Sequence, residues 1–483
     1  MAIRFFNYIN GAWCKSLSGE IFFDINPANT DEVLAEFQQS NQGDMQVAID
    51  AAKTAYPKWR SMPPAARAEI LNKALALMSK RKDELAKILT LENGKTLKES
   101  YAEIEAAYRE MEYQIAEGYR LCGHTMPSQK SGVFCYSIRQ PLGVIAVLTP
   151  WNFPFNVVSR KAIPALMAGN TVIFKPASFT PWAGLKYTEL LTDAGIPAGV
   201  FNLITGRGEE VGDVIVRSKD IRAVSFTGST NVGRKIEGAV VAHGGKAQLE
   251  MGGKNAVIIL EDANLDEAVS AVLLGAYSCA GQWCTSTSRV ILMKSVAEKF
   301  TARLLEGIKK MVIGNGMEPR TTMGPVAGPV QLKTVLDYIE IGKKESARLL
   351  AGGGRYTADG CDKGTFVAPT VFAEVKPSMR IAQEEIFGPV LSLMQVESMD
   401  EAIEISNSID YGLCSSIFTN DLSRSMMFIE KTEVGLTHVN LPTAYKEAQL
   451  EFGGIKDSGA GLAEAGHAGI EFFSEHKVVY IKV

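Results

Sequence analysis

The sequence predicts an α/β fold built from two or three domains. A chain of 483 residues is too long for one compact hydrophobic core. Its composition, with 46% hydrophobic and 22% charged residues, is typical of a soluble globular protein. Between Gly143 and Leu260, short β-rich apolar runs alternate with helix-length segments, and this alternation predicts a parallel sheet with helices on its faces.

The chain before this region, from Gly43 to about Gly118, is expected to be helical. After Pro63 and Pro64, apolar residues recur at the spacing of one helical face. They are Ile70, Leu71, Ala74, Leu77 and Met78. We interpret them as core residues.

The predicted strands of the parallel sheet are GVIAVLT, TVIFK, GVFNLI, AVSF and NAVIIL. Ligands bind beyond the carboxyl ends of the strands in such sheets, so the segments that follow are candidate site segments. Four of the runs are followed by polar, aromatic or glycine-rich sequence: PWNFP, PAS, TGRGEEVG and TGSTNVG.

A second α/β region is expected from about Gly252 to Asn440. The tail, HKVVYIKV, alternates apolar and polar residues and is predicted to be a strand. The segment SGVFCYSIR has a similar alternation, and either it or another subunit is the expected partner of the tail.

Charge and cysteine content exclude several classes of protein. The net charge is -4 and the basic residues are scattered, so no nucleic-acid partner is expected. Signal-peptide and membrane-length apolar runs are absent from the sequence, which predicts no membrane partner and a cytoplasmic location.

Seven cysteines, an odd number, do not suggest a disulfide framework. No C-x-x-C or H-x-x-x-H spacing occurs, and no metal is expected.

The stretch AYSCAGQWCTSTSR carries two cysteines five residues apart, Cys279 and Cys284. From the residues alone, Cys284 is a buried packing residue, half of a disulfide, a metal ligand or a nucleophile. A small buried hydrophobic residue is the interpretation that the bare sequence favours.

Two glycine-rich loops and one lysine are candidates for binding a phosphate or a ribose. TGSTNVG places Gly228 and Ser229 after a strand and before a helix expected to begin near Arg234, where free N–H groups would face a phosphate. TGRGEEVG resembles the dinucleotide fingerprint but has one residue too many between its last glycines. Lys175 ends a strand, where its cation can reach a nucleotide or simply remain solvated.

Seven blocks in this order resemble the aldehyde dehydrogenase superfamily: TPWNFP, FKPAS, FTGST, LEMGGKN, GQWC, EEIFGPV and FGGIKDSG. Within that superfamily, LPTAYKEAQLEFGGIKDSGA is most similar to the semialdehyde dehydrogenases of the 2,5-dioxopentanoate and succinate semialdehyde type. The resemblance implies a Rossmann-type cofactor domain (1–120 and 141–251), an α/β catalytic domain (252–445) and a small β oligomerisation arm (121–140 and 467–483). It also implies a homodimer or homotetramer.

The resemblance assigns the catalytic roles. It makes Cys284 the nucleophile that forms a thiohemiacetal and then a thioester. The side-chain amide of Asn152 and the main-chain N–H of Cys284 would stabilise the oxyanion. Glu250 would be the general base that activates water. Cys279 keeps its interpretation as a packing residue that could form a protective disulfide with Cys284 under oxidation.

The resemblance also assigns the cofactor site. Its residues would be Trp151, Lys175, Ser178, Gly208, Gly228, Ser229, Glu385 and Phe387. Lys175 and Ser178 would meet the adenosine ribose, Ser229 the pyrophosphate, and Glu385 and Phe387 the nicotinamide ribose and ring. Relatives that prefer NAD usually carry a glutamate where this chain has Ser178. Because serine removes a negative charge that would repel a 2'-phosphate, NADP is expected to be preferred and NAD to remain possible.

The substrate implied is a small-molecule aldehyde, most specifically a carboxylated semialdehyde. Arg160 matches an arginine that holds a distal carboxylate, whereas Ser278 stands where a second such arginine is found. A surface or interdomain ion pair is the alternative interpretation of Arg160. Trp283 and Phe452 are also expected at the substrate. A sugar-derived or aromatic aldehyde stays open because Phe153, Phe155, Trp283 and Tyr445 could line a less polar pocket.

Three other functions compete with this interpretation. The CoA-acylating branch of the superfamily lacks the glutamate that matches Glu250. Structural proteins descended from the enzyme tend to lose active-site residues that this chain retains. A Cys-His hydrolase would need a histidine, and no matching block contains one.

Overall fold

The computed structural model describes residues 3–483, and the helical N-terminal region is confirmed there. Its elements are β1 (Ile3–Arg4), β2 (Asn7–Ile9), β3 (Ala12–Cys14), β4 (Ile21–Ile25), β5 (Val33–Gln38), α1 (Gln42–Ser61), α2 (Pro64–Lys80), α3 (Lys82–Asn93) and α4 (Leu97–Glu117). Capping boxes fix the beginnings of α1 and α4, with Asn41 bonded to Asp44 and Thr96 to Glu99. Helix α2 begins at Pro64, whose missing N–H costs nothing in a first turn.

The next part of the chain carries strands β6 and β7 and most of the first parallel sheet. Its elements are β6 (Thr125–Met126), β7 (Val133–Pro141), β8 (Val144–Leu148), α5 (Pro154–Ala168), β9 (Thr171–Lys175), α6 (Pro181–Asp193), β10 (Phe201–Leu203), α7 (Gly208–Arg217), β11 (Ile221–Thr227), α8 (Thr230–Val241) and β12 (Lys246–Glu250). The helix expected near Arg234 therefore begins four residues earlier, at Thr230.

The first sheet has eight strands in the order β23-β12-β11-β8-β9-β10-β2-β3, where β23 is Gly459–Ala460. Strands β12, β11, β8, β9 and β10 are parallel, and the antiparallel strands lie at the two edges. The expectation that NAVIIL belongs to this sheet was wrong. The more polar KAQLE segment, β12, takes that place beside β11, because the apolar NAVIIL strand is buried in the second sheet instead.

The second sheet is formed by the remaining α/β region. Its elements are β13 (Asn255–Ile259), α9 (Leu265–Tyr277), β14 (Thr287–Met293), α10 (Lys294–Lys309), α11 (Pro329–Lys344), β15 (Arg348–Ala351), β16 (Thr370–Ala373), α12 (Arg380–Gln383), β17 (Val390–Val396), α13 (Met399–Asn407), β18 (Tyr411–Gly412), β19 (Cys414–Phe418), α14 (Leu422–Lys431) and β20 (Leu436–Val439). The strand order is β15-β16-β17-β14-β13-β19-β20, and all neighbours except β15 and β16 pair in parallel.

The C-terminal part folds back onto both sheets and onto β7. After β21 (Glu451–Phe452) and β22 (Ile455–Lys456), it comprises β23, β24 (Glu464–Ala465), α15 (Gly466–Glu471) and β25 (Ser474–Lys482). Strand β25 pairs antiparallel with β7 from Ser474↔Pro141 to Lys482↔Val133, as the matching alternation of the two segments predicts. Among residues 3–483, no helix combines the length and apolarity that a membrane crossing requires.

Candidate active site

One cavity of about 1130 Å³ contains nearly all of the predicted site residues. It is lined by segments that follow β8, β11 and β12 of the first sheet, and by segments that precede β14 and β17 of the second. The predicted residues that line it are Trp151, Asn152, Arg160, Gly228, Ser229, Glu250, Trp283, Cys284, Glu385, Phe387 and Phe452. Lys175, Ser178 and Gly208 do not line it.

Cys284 is held at the cavity by an unusual turn. Helix α9 ends at Tyr277, and Cys279 and Ala280 then adopt positive φ angles of 49° and 54°. Non-glycine residues rarely adopt this conformation, and such residues cluster at functional sites. Gly281 continues the turn with φ 70°, and a Cβ there would collide with the carbonyl of Gly388. The turn therefore directs the segment that carries Cys284 into the cavity.

The Cys284 thiol is free and half-buried. Its main-chain carbonyl accepts a hydrogen bond of 2.7 Å from the Asn255 amide, which anchors the segment. Burial raises the pKa of the thiol well above its usual value, Glu250 raises it further, and Arg160 acts in the opposite direction. The group at rest near neutral pH is therefore the thiol, and its reaction as a nucleophile requires a base. Cys279 is buried and also free.

Asn152 lies in the loop between β8 and α5 and is buried. Its side-chain Nδ2 donates to the carbonyl of Gln282 at 2.9 Å, which ties the loop to the turn before Cys284. The Lys95 ammonium donates to the main-chain carbonyl of Asn152 at 2.6 Å. Because Nδ2 carries two hydrogens, the second remains free to meet an oxyanion.

Glu250 is the last residue of β12 and is only 1% exposed. Neither of its carboxylate oxygens has a hydrogen-bond partner among residues 3–483. Burial raises the pKa of Glu250 well above its usual value and the carboxylate of Glu464 adds to this, whereas Arg160 and Lys161 lower it. A buried carboxylate with a raised pKa is a stronger base than an ordinary carboxylate, and oxygens without protein partners can contact a water molecule.

The beginning of α8 and the segment before β17 also line the cavity. Gly228 and Ser229 stand where α8 begins, and the side chain of Ser229 makes no capping hydrogen bond to the helix. Glu385 accepts a hydrogen bond of 2.9 Å from the Gly253 N–H. The rings of Trp151 and Phe387 meet edge to face, with centroids 5.3 Å apart.

The three predicted residues outside the cavity lie at the ends of neighbouring strands. Lys175 ends β9, and its ammonium donates to the carbonyl of Pro176 at 3.0 Å. Burial lowers the pKa of Lys175 to about 8. Ser178 is half-buried and donates to the carbonyl of Gly206 at 3.1 Å, while Gly208 opens α7. All three therefore lie at the carboxyl edge of the first sheet.

Arg160 lines the cavity but is surrounded by protein partners. Its side chain is 4% exposed and contacts Glu110 at 3.0 Å and Glu464 at 3.8 Å. It also donates to the Asn156 side chain at 3.1 Å and stacks 4.3 Å from the centre of the Phe452 ring. Arg160 therefore forms a buried ion pair with Glu110 of the same expected cofactor domain, rather than a surface or interdomain ion pair, and it also lines the cavity.

The aromatic residues divide into two groups. Trp283 and Phe153 line the cavity and meet edge to face with centroids 5.1 Å apart. Phe155 is fully buried in the core and does not line the cavity, because it packs against Tyr187. Tyr445 is 44% exposed and bonds to Glu447, so the expectation that these two residues line the pocket was wrong.

Lys446 was not predicted as a site residue from the sequence. This residue lines the cavity, and its ammonium lies 2.5 Å from the Asn156 side-chain oxygen and 3.4 Å from Glu110. A single lysine in a polar loop gives no signal of its own. Glu110 had a detectable signal, because polar residues recur on the buried face of α4 with helical spacing: Ser100, Glu103, Glu110, Gln114 and Glu117.

Comparison with known proteins gives matches over nearly the whole chain. A profile of the aldehyde dehydrogenase family matches residues 13–479. The alpha-ketoglutaric semialdehyde dehydrogenase of Bacillus subtilis is 41% identical over 478 residues, covering 99% of this chain and 98% of that protein. The 2,5-dioxopentanoate dehydrogenase of Saccharolobus solfataricus is 42% identical over 474 residues, covering 97% of each. A crystal structure of an NADP-dependent enzyme from E. coli superposes with a TM-score of 0.96 at 35% identity, covering 100% of this chain and 98% of that one.

Proposed function

This chain belongs to the aldehyde dehydrogenase family, and from that premise we propose that it oxidises a carboxylated semialdehyde to the corresponding acid with NAD(P). 2,5-Dioxopentanoate is the first candidate and succinate semialdehyde the second. The two semialdehyde dehydrogenases of similar sequence support this substrate class. The observation that carries the proposal is a single cavity in which Cys284, Asn152 and Glu250 meet two cationic side chains, Arg160 and Lys446.

The first step is attack of the Cys284 sulfur on the aldehyde carbon. Because the pKa of the thiol is raised, the proton has to pass to a base as the bond forms. Glu250, whose own pKa is raised, raises the pKa of the Cys284 thiol more than any other carboxylate does. The developing oxyanion accepts from the second hydrogen of the Asn152 amide and from the main-chain N–H of Cys284.

Water completes the reaction by releasing the acyl group from Cys284. Once Glu250 has passed the thiol proton to solvent, its two oxygens, which lack protein partners in the described part of the chain, can hold and deprotonate that water. A carboxylate in this position favours hydrolysis over transfer of the acyl group to CoA.

The residues present fit a nicotinamide dinucleotide. The uncapped first turn of α8 at Ser229 offers main-chain N–H groups to a pyrophosphate, and Glu385 can accept from ribose hydroxyls. Bound NAD(P) supplies the acceptor for the hydride that leaves the substrate carbon. The chain's own contribution is to hold this carbon at Cys284, in the cavity that the packed rings of Trp151 and Phe387 also line.

NADP is the preferred cofactor in this proposal, and NAD remains usable. No carboxylate stands at Ser178 to repel a 2'-phosphate. Lys175 has a buried ammonium whose hydrogen-bond partner is a neutral carbonyl, and a phosphate would supply the missing counter-charge. The structurally similar E. coli protein is NADP-dependent, whereas the Sinorhizobium meliloti enzyme with the same TM-score of 0.96 is NAD-dependent, so the proposed preference rests on Ser178 and Lys175.

The arm supports assembly into a homodimer or homotetramer. Strand β25 leaves large apolar side chains exposed, with Val478 56%, Tyr480 74% and Ile481 41% accessible. An exposed apolar strand is a suitable surface for a second copy of the chain. Light scattering after size exclusion tests this expectation, and a monomer at micromolar concentration would contradict it. The seven free cysteines suit a reducing compartment, which supports a cytoplasmic location.

The experiment that tests the function is cofactor reduction by the purified enzyme with a panel of aldehydes. The panel contains 2,5-dioxopentanoate, succinate semialdehyde, glutarate semialdehyde, an aliphatic aldehyde, benzaldehyde and a sugar-derived aldehyde, each with NADP and with NAD. We expect the carboxylated aldehydes to lead by at least about tenfold in kcat/KM, the value of one charge-assisted contact. Cys284→Ala is the blank. A higher kcat/KM for benzaldehyde or for the sugar-derived aldehyde would contradict the proposed substrate class. The assignment as an aldehyde dehydrogenase would still stand.

A further inference from the structure

Arg160 has little capacity left to bind a substrate carboxylate. Its Nε and Nη2 groups both meet Glu110, at 3.1 and 3.0 Å, and Nη2 also donates to Asn156. Its remaining charged neighbour is Glu464 at 3.8 Å. With its side chain 4% exposed, Arg160 would have to give up existing contacts before it could form a bidentate pair with substrate.

Lys446 differs from Arg160 in exposure and in partners. It lies in the loop between β20 and β21, and its side chain is 28% exposed. Its shortest bond goes to a neutral amide oxygen, that of Asn156. Its anionic partner is the Glu110 oxygen at 3.4 Å, which already accepts from Arg160. The ammonium thus keeps donor capacity and much of its charge.

The ring of Phe452 lies near both Lys446 and Cys284. The Lys446 ammonium lies 5.7 Å from the centre of this ring, and the half-buried Cys284 packs against the small core cluster that contains Phe452. All three residues line the same cavity. A short substrate whose aldehyde carbon reaches Cys284 can therefore extend along Phe452 toward Lys446.

Three cationic side chains lie around this end of the cavity, beside the carboxyl groups of Glu110 and Glu464: Arg160, Lys161 and Lys446. Arg160 and Lys161 are 4% and 0% exposed, whereas Lys446 is 28% exposed. Lys446 is therefore the cation that an incoming carboxylate reaches most easily.

We propose that Lys446 is the specificity-determining residue that binds the distal carboxylate of the substrate, while Arg160 holds Glu110 and Phe452 in place. This inference rests on the proposed function and assigns its carboxylate contact to a residue of the loop before β21. Lys446 donates through its free N–H, and the two existing bonds to Asn156 and Glu110 orient the ammonium.

The test compares Lys446→Met with the wild-type enzyme on two matched substrates, succinate semialdehyde and its methyl ester, methyl 4-oxobutanoate. The ester keeps the aldehyde and the chain but lacks the charge. We expect Lys446→Met to lower kcat/KM for the semialdehyde about 10- to 100-fold, mostly through KM, and to change that for the ester less than about threefold. Lys446→Arg should recover part of the loss, because it restores the charge.

Lys98→Met is the matched control. Lys98 also lines the cavity but is exposed in the first turn of α4. Its substitution should therefore change kcat/KM for each of the two substrates by less than about twofold. Equal losses for semialdehyde and ester in Lys446→Met would mean that Lys446 is structural. An unchanged preference for the semialdehyde would show that Lys446 does not bind the carboxylate although the proposed function stands. If the wild-type enzyme itself does not prefer the semialdehyde, the proposed substrate class fails and this assignment fails with it.

Discussion

In addition to the larger increase that burial causes, the carboxylate of Glu250 raises the pKa of the Cys284 thiol. The pKa of Glu250 is itself raised by burial and by Glu464. The two groups line one cavity, and a negative charge on either disfavours a negative charge on the other. The resting site therefore holds a protonated thiol, and removal of its proton is coupled to the protonation state of Glu250.

Substitution Glu250→Gln should have opposite effects on thiol reactivity and on turnover. Without the carboxylate, the pKa of Cys284 should fall, so alkylation by iodoacetamide at neutral pH should become faster. Steady-state turnover should fall about 10²- to 10⁴-fold, because the base for hydrolysis is lost. Stopped-flow measurement of the reduced cofactor should show a burst followed by very slow turnover. Glu318→Gln is the control, since Glu318 lines the cavity in an exposed position. Slower alkylation in Glu250→Gln would contradict the electrostatic coupling.

Substitution Ser178→Glu should change the cofactor preference. The new carboxylate would repel a 2'-phosphate and accept hydrogen bonds from the unmodified ribose. We expect kcat/KM for NADP to fall by about tenfold or more, while the value for NAD is kept or rises. The measurement is initial rate against cofactor concentration with one saturating aldehyde. Ser178→Ala separates the effect of charge from the loss of the bond to Gly206. Equal losses with both cofactors would place the adenosine ribose elsewhere.

The parallel sheet and the positions of the site segments could be predicted from the sequence. The runs GVIAVLT, TVIFK and AVSF contain strands, and the segments that follow them meet at one edge of the first sheet, as expected for parallel strands. Family resemblance then identified Cys284, Asn152 and Glu250, which line one cavity. Each of these residues is fixed by the end of a strand or by a tight turn, and such features have local sequence signals.

The charged end of the cavity could not be predicted in the same way. Lys446 belongs to a loop without regular structure, and its neighbours Glu110 and Asn156 come from α4 and α5, far away in sequence. Their proximity depends on the packing of these two helices against the loop. The strand KAQLE was missed because it is short and three of its five residues are polar, including the buried Gln248 and Glu250. Tertiary packing, rather than local propensity, determines both the position of Lys446 in the cavity and the place of the KAQLE strand in the first sheet.

The preference for carboxylated substrates should weaken as the pH rises. Burial, followed by Arg160, lowers the pKa of Lys446 to about 8, whereas Glu110 and Cys284 act to raise it. Above that pH the ammonium loses its charge, so the ratio of kcat/KM for succinate semialdehyde over methyl 4-oxobutanoate should fall between about pH 8 and 10. The ratio cancels the titration of Cys284 and Glu250, which affects both substrates. Lys446→Arg should keep a flat ratio, because arginine stays charged. A ratio that falls equally in Lys446→Arg would assign the titration to another group.

The buried ion pair of Lys95 and Glu103 should be essential for both stability and catalysis. Both side chains are fully buried and lie 2.5 Å apart. Glu103 also accepts from the N–H of Phe155 at the start of α5, and Lys95 donates to the carbonyl of Asn152. Lys95→Met leaves a carboxylate buried without its cation, which should cost about 3 to 5 kcal/mol and lower the thermal midpoint. The double variant Lys95→Met/Glu103→Gln removes both charges but keeps an oxygen acceptor for Phe155, so it should recover part of the stability. Its kcat should stay low, because the Asn152 loop still lacks the hydrogen bond from Lys95 to the Asn152 carbonyl. A double variant that is less stable than Lys95→Met alone would contradict the account of an uncompensated charge.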